Sequence, residues 1–376
     1  MDSQDRKFMR KALALAEKSA GMASPNPPVG CVIVREGRIL GQGWHEYQAR
    51  DHAEAKALAG AQAGVRGATA YVTLEPCAHY GRTPPCASAL IAAGVRRVVI
   101  GHGDPNPLVA GKGISALQSA GIEVEVGVLR LEAGRLIEPF ACRVTTGMPL
   151  VVSKVGMSLD GRIATAGDRS DRITSEESRE FSQRLRLQLD ALLVGVGTMV
   201  IDDPQLSYRG KLPKARPLIA VVLDSNLRTP PAARIFQERP EGRILIYCRT
   251  DAPARRRQEL EARGAGIIPV AHGPQGLDLH QVLRDLAGRD ILGVLVEGGS
   301  KVHWSFLSAN LVDKFYFFVA PIILGGNSAV PAVGGEGYAS VEAAPAFKIS
   351  REFRAGSDLI LETYPSSSRS ILSPWL

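Results

Sequence analysis

Cysteine is scarce here: five in 376 residues. The number is odd and the spacing irregular, which excludes the disulfide framework of a small secreted domain. Long apolar runs are missing too. None approaches the roughly 20 residues that cross a bilayer, and residues 1–20 are charged and lack the apolar core of a secretory signal. No membrane partner is expected, and the cytoplasm is the expected compartment. Positive charge is in modest excess, +7, and it is not gathered into a stripe. Arg255-Arg256-Arg257 is the one dense basic run, and it lies within a polar helix pattern over 254–263, as a solvated face would. No nucleic-acid partner follows from that distribution. Internal repeats are absent. What remains is a chain of two-domain length, whose 45% hydrophobic and 6% aromatic content suits an α/β protein with an ample core.

One short region carries distinctive chemistry. His52-Ala53-Glu54, then Pro76-Cys77 and a further Cys86, make the outline of a zinc-dependent base deaminase. One imidazole and two thiolates leave a tetrahedral position for water, as a catalytic zinc requires, and zinc brings that water's pKa towards neutrality. Glu54 stands outside the ligand set and would carry a proton from the water to the departing amine. The pattern over 53–62 predicts a helix with His52 and Glu54 at its first turn. Residues 70–74 predict a strand ending at Glu75-Pro76, and Pro84-Pro85-Cys86 opens a second helix over 87–93. Both helix starts favour thiolate over thiol. Eight residues separate the two cysteines where the general signature has two, so 78–85 must bulge out, taking His79 and Arg82 to the site. The plainer alternatives are a structural zinc or two ordinary core cysteines. A structural site closes with a fourth ligand and has no use for Glu54. Cys31, Cys142 and Cys248 read as buried or incidental.

Around that region the first half alternates regularly. Residues 5–19 predict an amphipathic helix bearing Phe8, Leu13 and Leu15. Ser24-Pro25-Asn26-Pro27-Pro28 breaks it, and residues 29–34 and 39–45 predict a hairpin. A strand over 97–100 runs into Asp104-Pro105-Asn106-Pro107, a stiff loop at a strand end, where α/β folds place ligand contacts. A helix over 114–120 and a last strand over 122–126 follow, and the first domain is set at 1–146.

These segments, together with Gly30-Cys31-Val32-Ile33-Val34 and Gly81-Arg82-Thr83-Pro84-Pro85, resemble the bifunctional riboflavin-biosynthesis deaminase–reductase family. The extended cysteine loop separates that family from cytidine and tRNA adenosine deaminases. The resemblance implies an α/β chain: an N-terminal cytidine-deaminase-like three-layer domain, then a dihydrofolate-reductase-like α/β domain. The first would deaminate a pyrimidinone bearing ribose 5-phosphate, with His52, Cys77 and Cys86 holding zinc and Glu54 catalytic. Asn26, His45, His79, Arg82, Asp104 and Asn106 would grip the substrate, although His45 and His79 fit a structural role equally well.

The second domain is set at 147–364. Strands are predicted over 149–155, 191–198, 217–223, 243–247, 266–270, 291–296 and 313–319, and helices over 176–189 and 301–309. Gly195-Val196-Gly197-Thr198 reads as a tight turn, a weak phosphate signal alone. Glu297-Gly298-Gly299-Ser300 says more, because it follows an apolar strand suited to a sheet covered on both faces and enters a helix whose N–H groups could take a pyrophosphate. With Ser158-Leu159-Asp160-Gly161 and Asp202-Asp203-Pro204, it resembles the reductase half of the same family. That implies NADPH and a hydride transfer opening the ribosyl group to ribityl. Lys154, Gly156, Arg172, Thr198, Asp202, Ser225, Gly299, Ser300, Lys301, Val302, His303, Trp304 and Ser305 fall on the cofactor side. Ser170, Arg186, Leu206, Arg209 and Glu297 fall on the substrate side, the arginines matching a phosphate. Arg172 stands where the family usually has tryptophan. A small phosphorylated pyrimidine is the expected partner and a homo-oligomer the expected assembly. Residues 365–376 read as a disordered serine-rich tail. The competing reading is a nucleic-acid base deaminase with an appended recognition domain. It would call for stacking aromatics among basic residues, and the second half shows a dinucleotide-style glycine turn instead.

Overall fold

The computed structural model describes residues 3–370 and 372, apart from 50, 62–63, 81–83, 167–171 and 238–241. The chain divides into two compact units, the break falling between Gly147 and Met148. No helix among the described residues is long and apolar enough to cross a membrane.

The first unit runs α1 (Ser3–Lys18), β1 (Gly30–Arg35), β2 (Arg38–Trp44), α2 (Ala53–Gly60), β3 (Thr69–Leu74), α3 (Cys86–Ala92), β4 (Arg97–His102), α4 (Lys112–Ser119), β5 (Glu123–Val126) and α5 (Arg130–Thr146). Its sheet has the order β2-β1-β3-β4-β5, with β1 antiparallel to both neighbours and β3 to β5 parallel. Successive residues of a strand face opposite sides, and two glycines show what lies on each. A Cβ on Gly30 would stand 2.0 Å from the Ala12 carbonyl oxygen of α1. One on Gly43 would stand 2.4 Å from the Ala53 carbonyl oxygen of α2. Gly30 pairs with Trp44 and Gly43 with Cys31, so the two helices cover opposite faces and the unit has three layers. Phe8, Met9, Val32, Val34, Tyr71 and Val99 fill the side under α1. Arg97 binds this layer together, pairing with Asp5 at 2.8 Å, with Glu123 at 2.8 Å and with Glu125, while the Tyr71 hydroxyl donates to Asp5.

The second unit adds β6 (Leu150–Ser158), β7 (Arg162–Ala164), α6 (Glu176–Gln188), β8 (Ala191–Gly195), α7 (Val196–Ile201), β9 (Ile219–Leu223), β10 (Ile244–Arg249), α8 (Ala254–Glu261), β11 (Ala265–Val270), the short pair β12 (His272–Gly273) and β13 (Gly276–Leu277), α9 (Leu279–Gly288), β14 (Gly293–Val296), α10 (Ser300–Ser308), β15 (Lys314–Ala320), β16 (Val330–Pro331), β17 (Phe347–Ala355) and β18 (Asp358–Pro365). The large sheet is ordered β11-β10-β9-β8-β14-β6-β15-β18-β17. It is parallel from β11 to β15, and β18 and β17 extend it in antiparallel fashion. The parallel strands are largely apolar, Val151, Leu193, Val221, Leu245 and Val294 being fully or nearly fully buried, as a sheet covered on both sides requires.

Two expectations are corrected. Gly195-Val196-Gly197-Thr198 is not a tight turn: the chain passes from β8 directly into α7 at Val196. The serine-rich tail is not loose over 366–370. Its backbone and side chains bond to Ala346 and Asp313, and Ser370 is buried, because Arg369 supplies the partner that the buried Asp313 carboxylate needs. The rest of that segment, residue 372 apart, lies outside the described residues.

Candidate metal centre and second site

The two close glycine contacts on β2 bring α2 against the sheet. A Cβ on Gly41 would lie 2.0 Å from the Ala57 oxygen, matching the approach already noted at Gly43. His52 caps α2 with extended backbone, Glu54 lies in its first turn, and Cys86 opens α3 directly after Pro85. Cys77 follows the end of β3 by three residues. The result is a compact set: ligand atoms of His52, Cys77 and Cys86 all lie within 4.8 Å of one another. His52 Nδ1 is 3.2 Å from Cys86 Sγ and 3.6 Å from Cys77 Sγ. Tetrahedral ligands on one zinc, with bonds of about 2.05 and 2.3 Å, are separated by about 3.6 Å, so the donors fit that ion. The Cys86 N–H donates to Cys77 Sγ at 3.3 Å. Hydrogen bonds from Cys86 and then His52 hold the Cys77 thiol well below its usual range despite burial, while the Cys86 thiol is pushed up correspondingly.

Glu54 is 4% exposed and hydrogen-bonds with Cys86. Burial is the main cause lifting its carboxyl to about 7. A carboxyl poised there takes up and returns a proton equally well at neutral pH. His45 stacks edge-on against His52 with centroids 5.3 Å apart, and its ring nitrogens meet the Asp51 carbonyl and the Asn26 amide. The amide Nδ2 can only donate, so His45 Nε2 accepts and Nδ1 carries the hydrogen. Burial lowers the His45 pKa, in keeping with a neutral ring. Asp104 and Asn106 are half-buried, and each side-chain oxygen closes a turn, Asp104 on the Asn106 N–H at 2.8 Å and Asn106 on the Leu108 N–H at 3.0 Å. His79 is exposed and electrostatically coupled to Asp104. Asn26 and His45 therefore sit beside the metal ligands, while Arg82 lies outside the described residues. Glu75, given no role by the sequence argument, lies buried next to this group.

In the second unit, Glu297 leaves the end of β14 beside Lys154 on β6. Arg186, in the last turn of α6, donates to Glu297 Oε2 at 2.5 Å and to the Ser207 carbonyl at 2.9 Å. Burial opposes charge on Glu297, but Arg186 and Lys154 outweigh it and keep its pKa below the ordinary carboxylate value. Burial also lowers Lys154. Leu206 is buried at φ 50°, a backbone state that a bulky residue adopts only when its surroundings impose it, and the Arg209 N–H bonds Gln183 on α6 at 2.8 Å. Arg186, Leu206, Arg209 and Glu297 are thus brought together. Ser170 lies outside the described residues, and Arg172 is exposed.

On the cofactor side, Gly299 caps α10, and nothing lies within 4 Å of where its Cβ would be, so backbone N–H groups at this turn are approachable. Glu297 Oε1 and Ser300 Oγ are buried with no hydrogen-bond partner among the described residues. Open backbone, the orphaned Ser300 hydroxyl and a helix N-terminus together fit a dinucleotide phosphate, whereas Glu297 Oε1 calls for a donor. Val302 packs where Cβ atoms on Gly195 and Gly298 would be, 2.7 and 2.6 Å away, which explains the small residues at both strand ends. His303 is buried against Ser153 and Phe315, Trp304 meets Tyr338 edge-on, Lys301 is exposed, and Ser305 bonds back to the Lys301 carbonyl. Gly156 faces Thr174. Thr198 and Asp202 lie on α7 and its C-cap, and Ser225 follows β9, two strands from β14.

The first half is thus a deaminase of the zinc-dependent cytidine deaminase kind, and the second a nicotinamide-type reductase. Comparison with known proteins agrees on both. A model of the cytidine and deoxycytidylate deaminase zinc-binding region matches residues 2–102, and one of the RibD C-terminal domain matches 149–361. Riboflavin biosynthesis protein RibD of Actinobacillus pleuropneumoniae is 38% identical over 358 residues, covering 95% of this chain and 94% of that protein. Acinetobacter baumannii RibD, form 1, superposes with a TM-score of 0.82 at 38% identity, covering 96% of this chain and 99% of the other. The diaminohydroxyphosphoribosylaminopyrimidine deaminase/5-amino-6-(5-phosphoribosylamino)uracil reductase of Thermotoga maritima does so with 0.82 at 35%, with the same coverage. The chain belongs to the RibD family and is a bifunctional enzyme of riboflavin biosynthesis, hydrolase and oxidoreductase in one polypeptide.

Proposed function

We propose that residues 1–146 deaminate 2,5-diamino-6-(5-phosphoribosylamino)pyrimidin-4-one and that residues 147–364 reduce the product's ribosyl chain to ribityl with NADPH, giving 5-amino-6-(5-phosphoribitylamino)uracil. The observation that carries this reading is the converging His52, Cys77 and Cys86 with Glu54 buried alongside. Zinc held by that triad supplies Lewis-acid activation of water and a vacant ligand position. Glu54 removes the proton from the attacking water and returns it to the leaving ammonia. Asn26, its amide turned by His45, and the 104–106 loop orient the pyrimidine and its ribose phosphate.

In the reductase, NADPH supplies the hydride. The Gly299-Ser300 turn holds its pyrophosphate, with Thr198, Asp202 and Ser225 along the strand ends towards its other half. Arg186 and Arg209 take the substrate phosphate, and Lys154 and Glu297 line the reacting ribosyl group. The free cysteines, two of them needed as thiolates, support a reducing cytoplasm. We also place the protein as a homo-oligomer, which light scattering of the purified chain checks. Replacing Glu54 by Gln should cut deamination about 10²- to 10⁴-fold with zinc content unchanged. Turnover of the variant at wild-type rate would remove Glu54 from the reaction. For the reductase, mixing with the deaminated ribosylaminouracil phosphate should oxidise NADPH, read by absorbance. A flat trace would end that half of the assignment.

A further inference from the structure

Glu75 is 5% exposed and lies just beyond β3, two residues before the ligand Cys77. Its two carboxylate oxygens accept four backbone N–H groups: Asp104 at 3.0 Å and Gly111 at 3.1 Å on Oε2, Gly113 at 2.9 Å and Ile114 at 3.2 Å on Oε1. Its own N–H donates to the His102 carbonyl at 2.9 Å. One side chain therefore ties the whole excursion from the end of β4 to the first turn of α4. The fit is close, since a Cβ on Gly113 would stand 1.9 Å from the Pro76 oxygen and 3.2 Å from Glu75 Cγ. Within the excursion, Asp104 orients Asn106 through its N–H, and Asn106 in turn holds Leu108. The chain of bonds starts at the Asp104 N–H, and Glu75 holds that.

We propose that Glu75 is a positioning residue of the deaminase, locking the Asp104–Asn106 loop to the strand that delivers Cys77, so that substrate contacts and metal ligands keep one spacing. Only a carboxylate suits the place. Four donors converge on it, and a glutamine would turn its own two N–H groups against two of them. Its charge also faces the N-terminus of α4, where an anion is favoured. This rests on the reading that Asp104 and Asn106 touch the substrate.

The test is steady-state kinetics on the full chain carrying Glu75→Gln, with zinc content and reductase turnover measured on the same sample. The expected result is a KM for the diaminopyrimidine phosphate raised about tenfold, with kcat within about threefold and zinc and reductase turnover retained. A normal KM, or a fall in kcat alone, overturns the proposal. Loss of zinc or of reductase turnover overturns it too, because the residue would then be a structural staple. In Glu75→Gln/Asp104→Ala, the KM should be no higher than in Asp104→Ala alone, and additive losses would show that Glu75 does not act through this loop. A normal KM in Asp104→Ala would instead strike the reading of the loop as a substrate contact.

Discussion

Lys154, Arg186 and Glu297 show how a single residue governs a site. Two cations converge on one buried carboxylate, which they hold ionised. Removing the acid leaves both cations facing each other without the carboxylate that offsets their charge. Glu297→Ala should destabilise the second unit by about 3 kcal/mol, the usual cost of breaking a buried pair from one side. Denaturant unfolding measures it, and deamination should survive. The zinc triad and Glu54 were readable in the sequence because the chemistry demands those residue types close together, and His52-Ala53-Glu54 and Pro76-Cys77 supply them in short motifs. Glu75 was not, since its partners are backbone N–H groups, which no sequence pattern marks. Nor does any local signal join Lys154 to Glu297; only the pairing of β6 with β14 does that.

Among the elements, α1 depends on a charge contact far along the chain. Burial raises the pKa of Asp5, but hydrogen bonds from Arg97 and Tyr71 and the charge of Arg97 outweigh it, leaving the pKa below its ordinary value. A depressed carboxylate pKa contributes stability above its unfolded value of about 3.9, and that contribution fades as pH falls through the folded value. Asp5→Asn should therefore cost about 1–3 kcal/mol at pH 7, and the gap between wild type and variant should narrow as pH falls below about 3.9, as followed by circular dichroism. The strands were the most legible elements, because short apolar runs such as 191–194 and 219–223, bounded by turn residues, read as buried strands. α5 escaped notice: Gly134 and Pro139 lie inside it, and packing of Ala133, Ile137 and Ala141 overrides their poor propensity. The β17–β18 pair escaped as well, since β17 is largely exposed and shows no apolar alternation. α7 has only six residues, too short for a period to show.

For the whole molecule, division into two units followed from motif order and the identity of each from the family resemblance those motifs carry, whereas the bound tail was not visible. Serine-rich composition suggests disorder, yet Asp313 is 1% exposed and takes the Val151 N–H on one side and Arg369 on the other. A chain ending at residue 364 would leave that carboxylate with one donor. Such a truncation should lower the melting temperature of the second unit, and Arg369→Ala alone should cost roughly 1–3 kcal/mol. Thermal unfolding followed by reductase loss checks both.

Gly43 has no side chain to bind a metal or move a proton, yet α2 rests on its bare backbone. A single methyl group there would meet the Ala53 oxygen and lift the helix start that carries His52 and Glu54. Gly43→Ala should thus release zinc to a chelator far more readily than wild type while every coordinating side chain is intact. That outcome would mean that metal affinity is set partly from behind the sheet, and that a screen looking only at the residues touching the ion would overlook one of its controls.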